Sequence, residues 1–170
     1  EGSRISKGRN IINLLEMQKS EKVAALISID SFDSDLSLVL CTRNGVVKKT
    51  KINAYKNHRK GGIIGINVDE GDRVLKAIKT NPEDHILILT KNGKGLRFSC
   101  DQLRDQGRVT RGVRGIRLKP KDHVDTFLVV DDEKLLLIAG QNGLGIRTRF
   151  SAFLPNGGKL DDGSIDEATP

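Results

Sequence analysis

The sequence predicts an all-β fold, a propeller-like array of about three four-stranded blades. Three observations predict it. Short apolar runs end at Asn-Gly three times, the runs recur about every fifty residues, and almost nothing in the 170 residues has helical spacing.

The first run, Leu36-Ser-Leu-Val-Leu-Cys-Thr-Arg-Asn-Gly-Val-Val-Lys-Lys-Thr50, returns as Ile86-Leu-Ile-Leu-Thr-Lys-Asn-Gly-Lys-Gly-Leu-Arg-Phe98. It returns again as Leu135-Leu-Leu-Ile-Ala-Gly-Gln-Asn-Gly-Leu-Gly-Ile-Arg-Thr148. Asn-Gly between apolar runs is a strong hairpin signal, because the tight type I′ turn needs positive φ at both central residues. The strand before each turn is almost wholly apolar and is expected to be buried on both faces, and the strand after it, with Lys, Arg and Thr, half exposed. Gly95 and Gly145, just past two of the turns, suggest a bulge or a close backbone approach. The one helix-like stretch is Cys100-Asp-Gln-Leu-Arg-Asp105, with Leu103 as its apolar residue.

A second motif repeats out of phase with the hairpins: Gly8-Arg-Asn-Ile-Ile-Asn-Leu14, Gly62-Ile-Ile-Gly-Ile-Asn-Val68 and Gly112-Val-Arg-Gly-Ile-Arg-Leu118. Each leads through a polar turn to a further β-rich run at Glu21-Lys-Val, Asp72-Arg-Val and Asp122-His-Val. The units fall at roughly 8–58, 62–108 and 112–155 within a domain of 1–160, followed by an acidic tail at 161–170. Units of this length that cannot bury their faces alone are how propeller-like arrays read in sequence.

Lys and Arg number 29 against 22 Asp and Glu, a formal charge of +7, which favours a polyanionic partner. The distribution says more than the total. Between Asp35 and Asp69 there is no acid, and from Arg104 to Lys121 Asp105 is the one acid among seven basic residues. Lys49, Arg97 and Arg147 each stand five residues after a turn Asn, and Arg4, His58 and Arg108 each stand four before a strand-opening Gly. In a radial array, equivalent positions form a ring, and a basic ring suits the phosphates of bent duplex DNA, with little discrimination between bases. The candidate contacts are Arg4, Lys7, Arg43, Lys48, Lys49, His58, Arg59, Lys60, Lys94, Arg97, Arg108, Arg111, Arg114, Arg147 and Arg149. Few aromatics occur, and several lie within β runs, which disfavours single-strand binding by base stacking.

No catalytic centre is expected. His58, His85 and His123 stand in polar turn contexts without metal-ligand spacing, Gly107-Arg-Val-Thr-Arg-Gly112 lacks the Lys-Ser/Thr ending of a phosphate loop, and Cys41 and Cys100 have no His nearby in sequence. No cofactor, metal, signal peptide or membrane span is indicated, and a reducing cytoplasm is expected.

Four stretches, Asn13-Leu-Leu15, Thr42-Arg-Asn-Gly-Val-Val-Lys-Lys-Thr50, Gly62-Ile-Ile-Gly-Ile-Asn-Val-Asp-Glu-Gly-Asp72 and Gly107-Arg-Val-Thr-Arg-Gly-Val-Arg-Gly-Ile-Arg-Leu118, resemble the C-terminal repeats of the DNA gyrase A subunit. The resemblance runs to about Phe153. It implies a β-pinwheel, of whose larger disc these blades are part, with neighbouring repeats that exchange strands and a basic perimeter that wraps duplex DNA, so that a type II topoisomerase can introduce supercoils with ATP. It also implies two protein partners, the ATPase B subunit together with the breakage-reunion core of the A subunit, which carry the catalysis, and a nucleoid-associated location. The family's Gln-Arg-Arg-Gly-Gly-Lys-Gly box has no full match: Arg59-Lys-Gly-Gly62 is followed by Ile63, and Pro155-Asn-Gly-Gly-Lys159 lacks the Arg pair. Topoisomerase IV shares the pattern, and a propeller-like platform for protein contacts is the alternative reading.

Overall fold

A computed structural model describes residues 7–8, 17, 21–57, 59 and 61–154 of the chain. The described residues form nine strands and no α-helix. The strands are β1 (Ser37–Thr42), β2 (Val46–Lys51), β3 (Val74–Thr80), β4 (His85–Thr90), β5 (Gly95–Ser99), β6 (Val113–Arg114), β7 (Val124–Val129), β8 (Leu135–Ala139) and β9 (Gly145–Arg149). Short 3-10 turns follow β2, β5 and β9, and the helix-like stretch at Cys100 is one of these, Cys100–Gln102.

Each repeated apolar run is the first strand of an antiparallel hairpin: β1 with β2, β4 with β5, β8 with β9. The turns differ from the expected type I′. Gly45, Gly93 and Gly143 have φ of 82°, 80° and 80°, and none of the Asn residues before them has positive φ. The amide of each Gly donates three residues back, to the carbonyls of Thr42, Thr90 and Gly140. Glycine therefore ends a three-residue loop in the left-handed region, and Asn stays on the ordinary side of φ, which its Cβ prefers.

Strands from farther along the chain complete the hairpins. β3 pairs with β1 and β7 with β4, both antiparallel, with a register shift at Cys41/Thr42 in one case and at Leu89/Thr90 in the other. β6 crosses back over the second unit to pair with β2, so the first sheet has the order β3-β1-β2-β6. The second sheet is β5-β4-β7 and the third is the hairpin β8-β9. This is strand exchange between repeats, as the resemblance implies.

Alternate residues of the first two sheets face one shared core that includes Val39, Cys41, Val47, Ile86, Ile88, Val124 and Phe127. As expected, β1 and β4 are largely buried. β8 is not: Leu135 and Leu137 keep 49% and 72% of their surface exposed. Gly95 is a close approach, since a Cβ there would lie 2.4 Å from the ring of Phe153, whereas a Cβ at Gly145 meets only ordinary contacts.

Candidate nucleic-acid interface

The basic stretch 104–121 forms a strap across the edge of the first sheet. Three devices seat it. The amide of Gln106 donates to the carbonyl of Lys49 at 2.8 Å, and that of Gly115 to the carbonyl of Gly45 at 2.8 Å. Gly112 has φ of 99°, and a Cβ there would stand 2.6 Å from the carbonyl oxygen of Val47; one at Gly115 would stand 2.6 Å from the Val47 side chain. Only glycine lets the strap lie this close. Ile116 then turns into the core, 3% exposed.

With the backbone against the sheet, the side chains on the other side face solvent. Arg104, Arg111, Arg114, Arg117, Lys119 and Lys121 are exposed and Arg108 is half-buried. Arg108, Arg111, Arg114 and Arg117 recur every third residue. Arg111 is bridged to Asp69, and the amine of Lys94 donates to the carbonyl of Arg117 at 2.9 Å, adding a cation beside the strap. Arg59 and Arg108 line one open cleft of about 470 Å³.

Other expected contacts have other surroundings. Lys48 is fully buried, and its ammonium donates to the carbonyls of Gly65, of Gly107 at 3.1 Å and of Arg108 at 2.5 Å. Burial, with the Arg108 guanidinium nearby, pushes its pKa down to about 8. Arg97 is buried as well, paired through both terminal guanidinium nitrogens with Asp132 at 2.7 and 2.5 Å. Lys49 has a side chain 11% exposed, donates to the carbonyl of Cys100 at 3.0 Å and lies 3.6 Å from Asp105.

The expected ring of Lys49, Arg97 and Arg147 is therefore corrected: of the three, Arg147 alone is exposed. In the first two units the strand after the turn faces polypeptide from farther along the chain, which supplies a carboxylate, Asp105 in one and Asp132 in the other. Lys48 and Arg97, both expected as phosphate contacts, present their charges to main-chain carbonyls and to Asp132 instead of to solvent.

Arg43 is half-buried with its guanidinium 3.4 Å from His123, and His85 receives the Nε of Arg97 at 3.4 Å, so these two histidines accompany arginines. Lys7 and Arg149 are exposed. Arg4, His58, Lys60, the stretch Pro155–Lys159 and the acidic tail lie outside the described residues. Arg117, Lys119 and Lys121 were not among the contacts expected from the sequence, although they continue the run of Arg108, Arg111 and Arg114. Cys41 and Cys100 are buried, and burial pushes the Cys41 thiol up to about 12 and raises that of Cys100.

The family model of the DNA gyrase C-terminal domain, a β-propeller, matches residues 37–81, 84–131 and 134–159. The chain is 38% identical over 159 residues to the DNA gyrase A subunit of Mycolicibacterium smegmatis, covering 92% of this chain and 19% of that protein. Against the DNA gyrase A subunit of Chlamydia muridarum the identity is 39% over 156 residues, covering 90% and 19%. The chain thus spans about a fifth of the length of these relatives. Among solved structures, a C-terminal domain of DNA topoisomerase IV superposes with a TM-score of 0.80 at 27% identity, covering 86% of this chain and 46% of that one. A DNA gyrase A C-terminal domain gives a TM-score of 0.75 at 27% identity, covering 86% and 48%.

Proposed function

The chain belongs to the DNA gyrase C-terminal domain family, and from that premise we propose that it is a non-catalytic module that binds duplex DNA along the 104–121 strap and bends or wraps it. The observation that carries this reading is the strap itself, whose backbone is fixed to a sheet edge while most of its cations face solvent. Fixed, outward-facing cations exchange condensed counterions for phosphate contacts without reading bases, so binding is strong at low salt and largely indifferent to sequence. Within a protein of its relatives' length the module would serve an ATP-dependent type II topoisomerase beside two partners, the ATPase B subunit together with the breakage-reunion core of the A subunit, in the nucleoid-associated cytoplasm. It would take no cofactor.

The test is duplex affinity as a function of salt, by fluorescence anisotropy. Reversing Arg114, Arg117 and Lys119 to Glu is expected to weaken binding at least tenfold and to lower the salt slope by about two to three. Reversing Lys76, Lys79 and Lys134 removes the same charge elsewhere and is expected to do much less. Equal losses would reduce the effect to net charge. A second reading, a platform for protein contacts, has one observation behind it: Leu137, Leu144 and Ile146 of the third hairpin keep 72%, 81% and 62% of their surface exposed. Duplex binding that is absent or insensitive to salt would favour that reading.

A further inference from the structure

Lys48 departs from the repeat in a way the hairpin does not require. It stands four residues after the turn Asn, where the second and third units have Leu96 and Ile146. A leucine would suit the burial, but its place is taken by a cation whose ammonium is surrounded by main-chain oxygens. The carbonyls of Gly65, Gly107 and Arg108 accept from it, and that of Thr110 lies at 3.5 Å. An ammonium has three N–H donors and no acceptor, which matches three carbonyls.

Those oxygens come from two irregular segments, 62–68 and 107–111, which have no strand ladder to satisfy them. The segments are also tied to each other: the amide of Asn67 donates to the carbonyl of Thr110 at 3.0 Å and its side-chain Nδ2 to that of Val109 at 2.9 Å. Without the cation, the converging carbonyls would repel one another and those of Gly65 and Arg108 would lose their donor, while those of Gly107 and Thr110 keep the Thr110 hydroxyl and the Asn67 amide. The second segment carries Arg108 and Arg111, and the first lines the cleft that Arg108 shares with Arg59.

We propose that Lys48 is a positioning residue for duplex binding, which holds the 107–111 end of the strap through the main-chain carbonyls of Gly65, Gly107 and Arg108 without touching DNA. The inference rests on the reading of the strap as a DNA contact. It explains how the backbone can carry closely spaced arginines: the positive charge inside is matched to carbonyls, while Arg108 reaches the shared cleft and Arg111 the carboxylate of Asp69 at the surface.

The experiment compares the chain with Lys48→Met and, as a control, Val39→Ala, a core substitution on the neighbouring strand β1. Duplex affinity, its salt slope and amide hydrogen exchange are measured well below the unfolding midpoint of each. Lys48→Met is expected to weaken binding about fivefold, to lower the salt slope by about one contact and to speed exchange at 106–111 while β4 and β7 keep their protection. Val39→Ala is expected to lower the unfolding midpoint and leave affinity within about twofold. If Lys48→Met does not fold, Lys48→Gln, which keeps two donors, carries the same comparison. Affinity unchanged by loss of the cation overturns the proposal, as does an equal loss in Val39→Ala or a failure of both Lys48 variants to fold. If the triple reversal of Arg114, Arg117 and Lys119 also leaves affinity unchanged, the DNA reading fails; if only the Lys48 variant is silent, the positioning role alone fails.

Discussion

The hairpins β4–β5 and β8–β9 carry nearly the same apolar pattern and differ in almost every measure of burial. Leu87 and Leu137 each stand five residues before the turn Asn, yet Leu87 is fully buried and Leu137 keeps 72% of its surface. The cause lies outside the hairpins. β4 receives β7, which sets Leu128 opposite Leu87, whereas among the described residues β8 pairs with no strand besides β9. Two hairpins of the same pattern thus differ because the strand that covers one comes from elsewhere in the chain. The same holds for charge: Arg97 closes on Asp132, and Arg147, its equivalent, faces solvent.

The largest test of this comparison is Leu87→Ala against Leu137→Ala. The first is expected to cost about 2–5 kcal/mol of unfolding free energy, since it leaves a cavity in a packed core, and the second less than about 0.5 kcal/mol. Urea denaturation followed by circular dichroism measures both. Equal costs would mean that β8 is covered in solution.

The next concerns Lys48 and its pH dependence. Below about pH 8 Lys48 carries its proton in both the folded and the unfolded chain. Between about 8 and its ordinary 10.5 the unfolded chain alone holds it, so folding is favoured as the pH rises through that window. Relative to Lys48→Met, the unaltered chain is expected to gain about 1–3 kcal/mol in urea titrations between pH 7.5 and 10. The neutral amine still donates two hydrogens to the carbonyls, so high pH should not free the strap. A loss over the same window would contradict the buried position.

Arg97→Met comes third. It is expected to cost about 1–2 kcal/mol, less than a fully buried pair because the Asp132 side chain keeps 37% of its surface. Arg147→Met is expected to leave stability within about 0.5 kcal/mol and to weaken duplex binding more than Arg97→Met does. The order on stability is thus the reverse of the order on affinity.

What the sequence could express was local. Asn-Gly between apolar runs marks a hairpin because turn chemistry is settled within four residues, and all three hairpins stand where the runs place them. The pairing of Val113–Arg114 with Val46–Val47 depends on chain that returns after more than sixty residues, and no local pattern announces it. The environment of a repeated basic position is nonlocal for the same reason, so Lys49, Arg97 and Arg147 read alike and do not sit alike. Lys48 did leave a signal, a charge at a position that is apolar in the other units, but placing it inside required the two loops that meet there. The strap was legible as a run of charge, and its seating can be traced afterwards to Gly112, Gly115 and Ile116.

The smallest test separates the turns themselves. In the second hairpin the carbonyl of Thr90 is taken by the amide of Gly93 at 2.9 Å, which leaves the amide of Lys94 to find another acceptor; the Thr90 hydroxyl accepts it at 3.1 Å. The first hairpin repeats this, with Val46 donating to the Thr42 hydroxyl at 3.1 Å. The third has Gly140 at the equivalent position and no hydroxyl to offer. Thr90→Val keeps the shape of the side chain and removes the acceptor, so it is expected to cost about 1 kcal/mol, and Thr42→Val about the same. Gly140→Ala is expected to change stability by less than about 0.5 kcal/mol, because water already reaches a turn whose residues are exposed on both sides. Should Thr90→Val leave the urea midpoint unchanged, water must satisfy the Lys94 amide too. The second turn would then be as open as the third, and the difference between the two hairpins would lie wholly in the strand that covers β4.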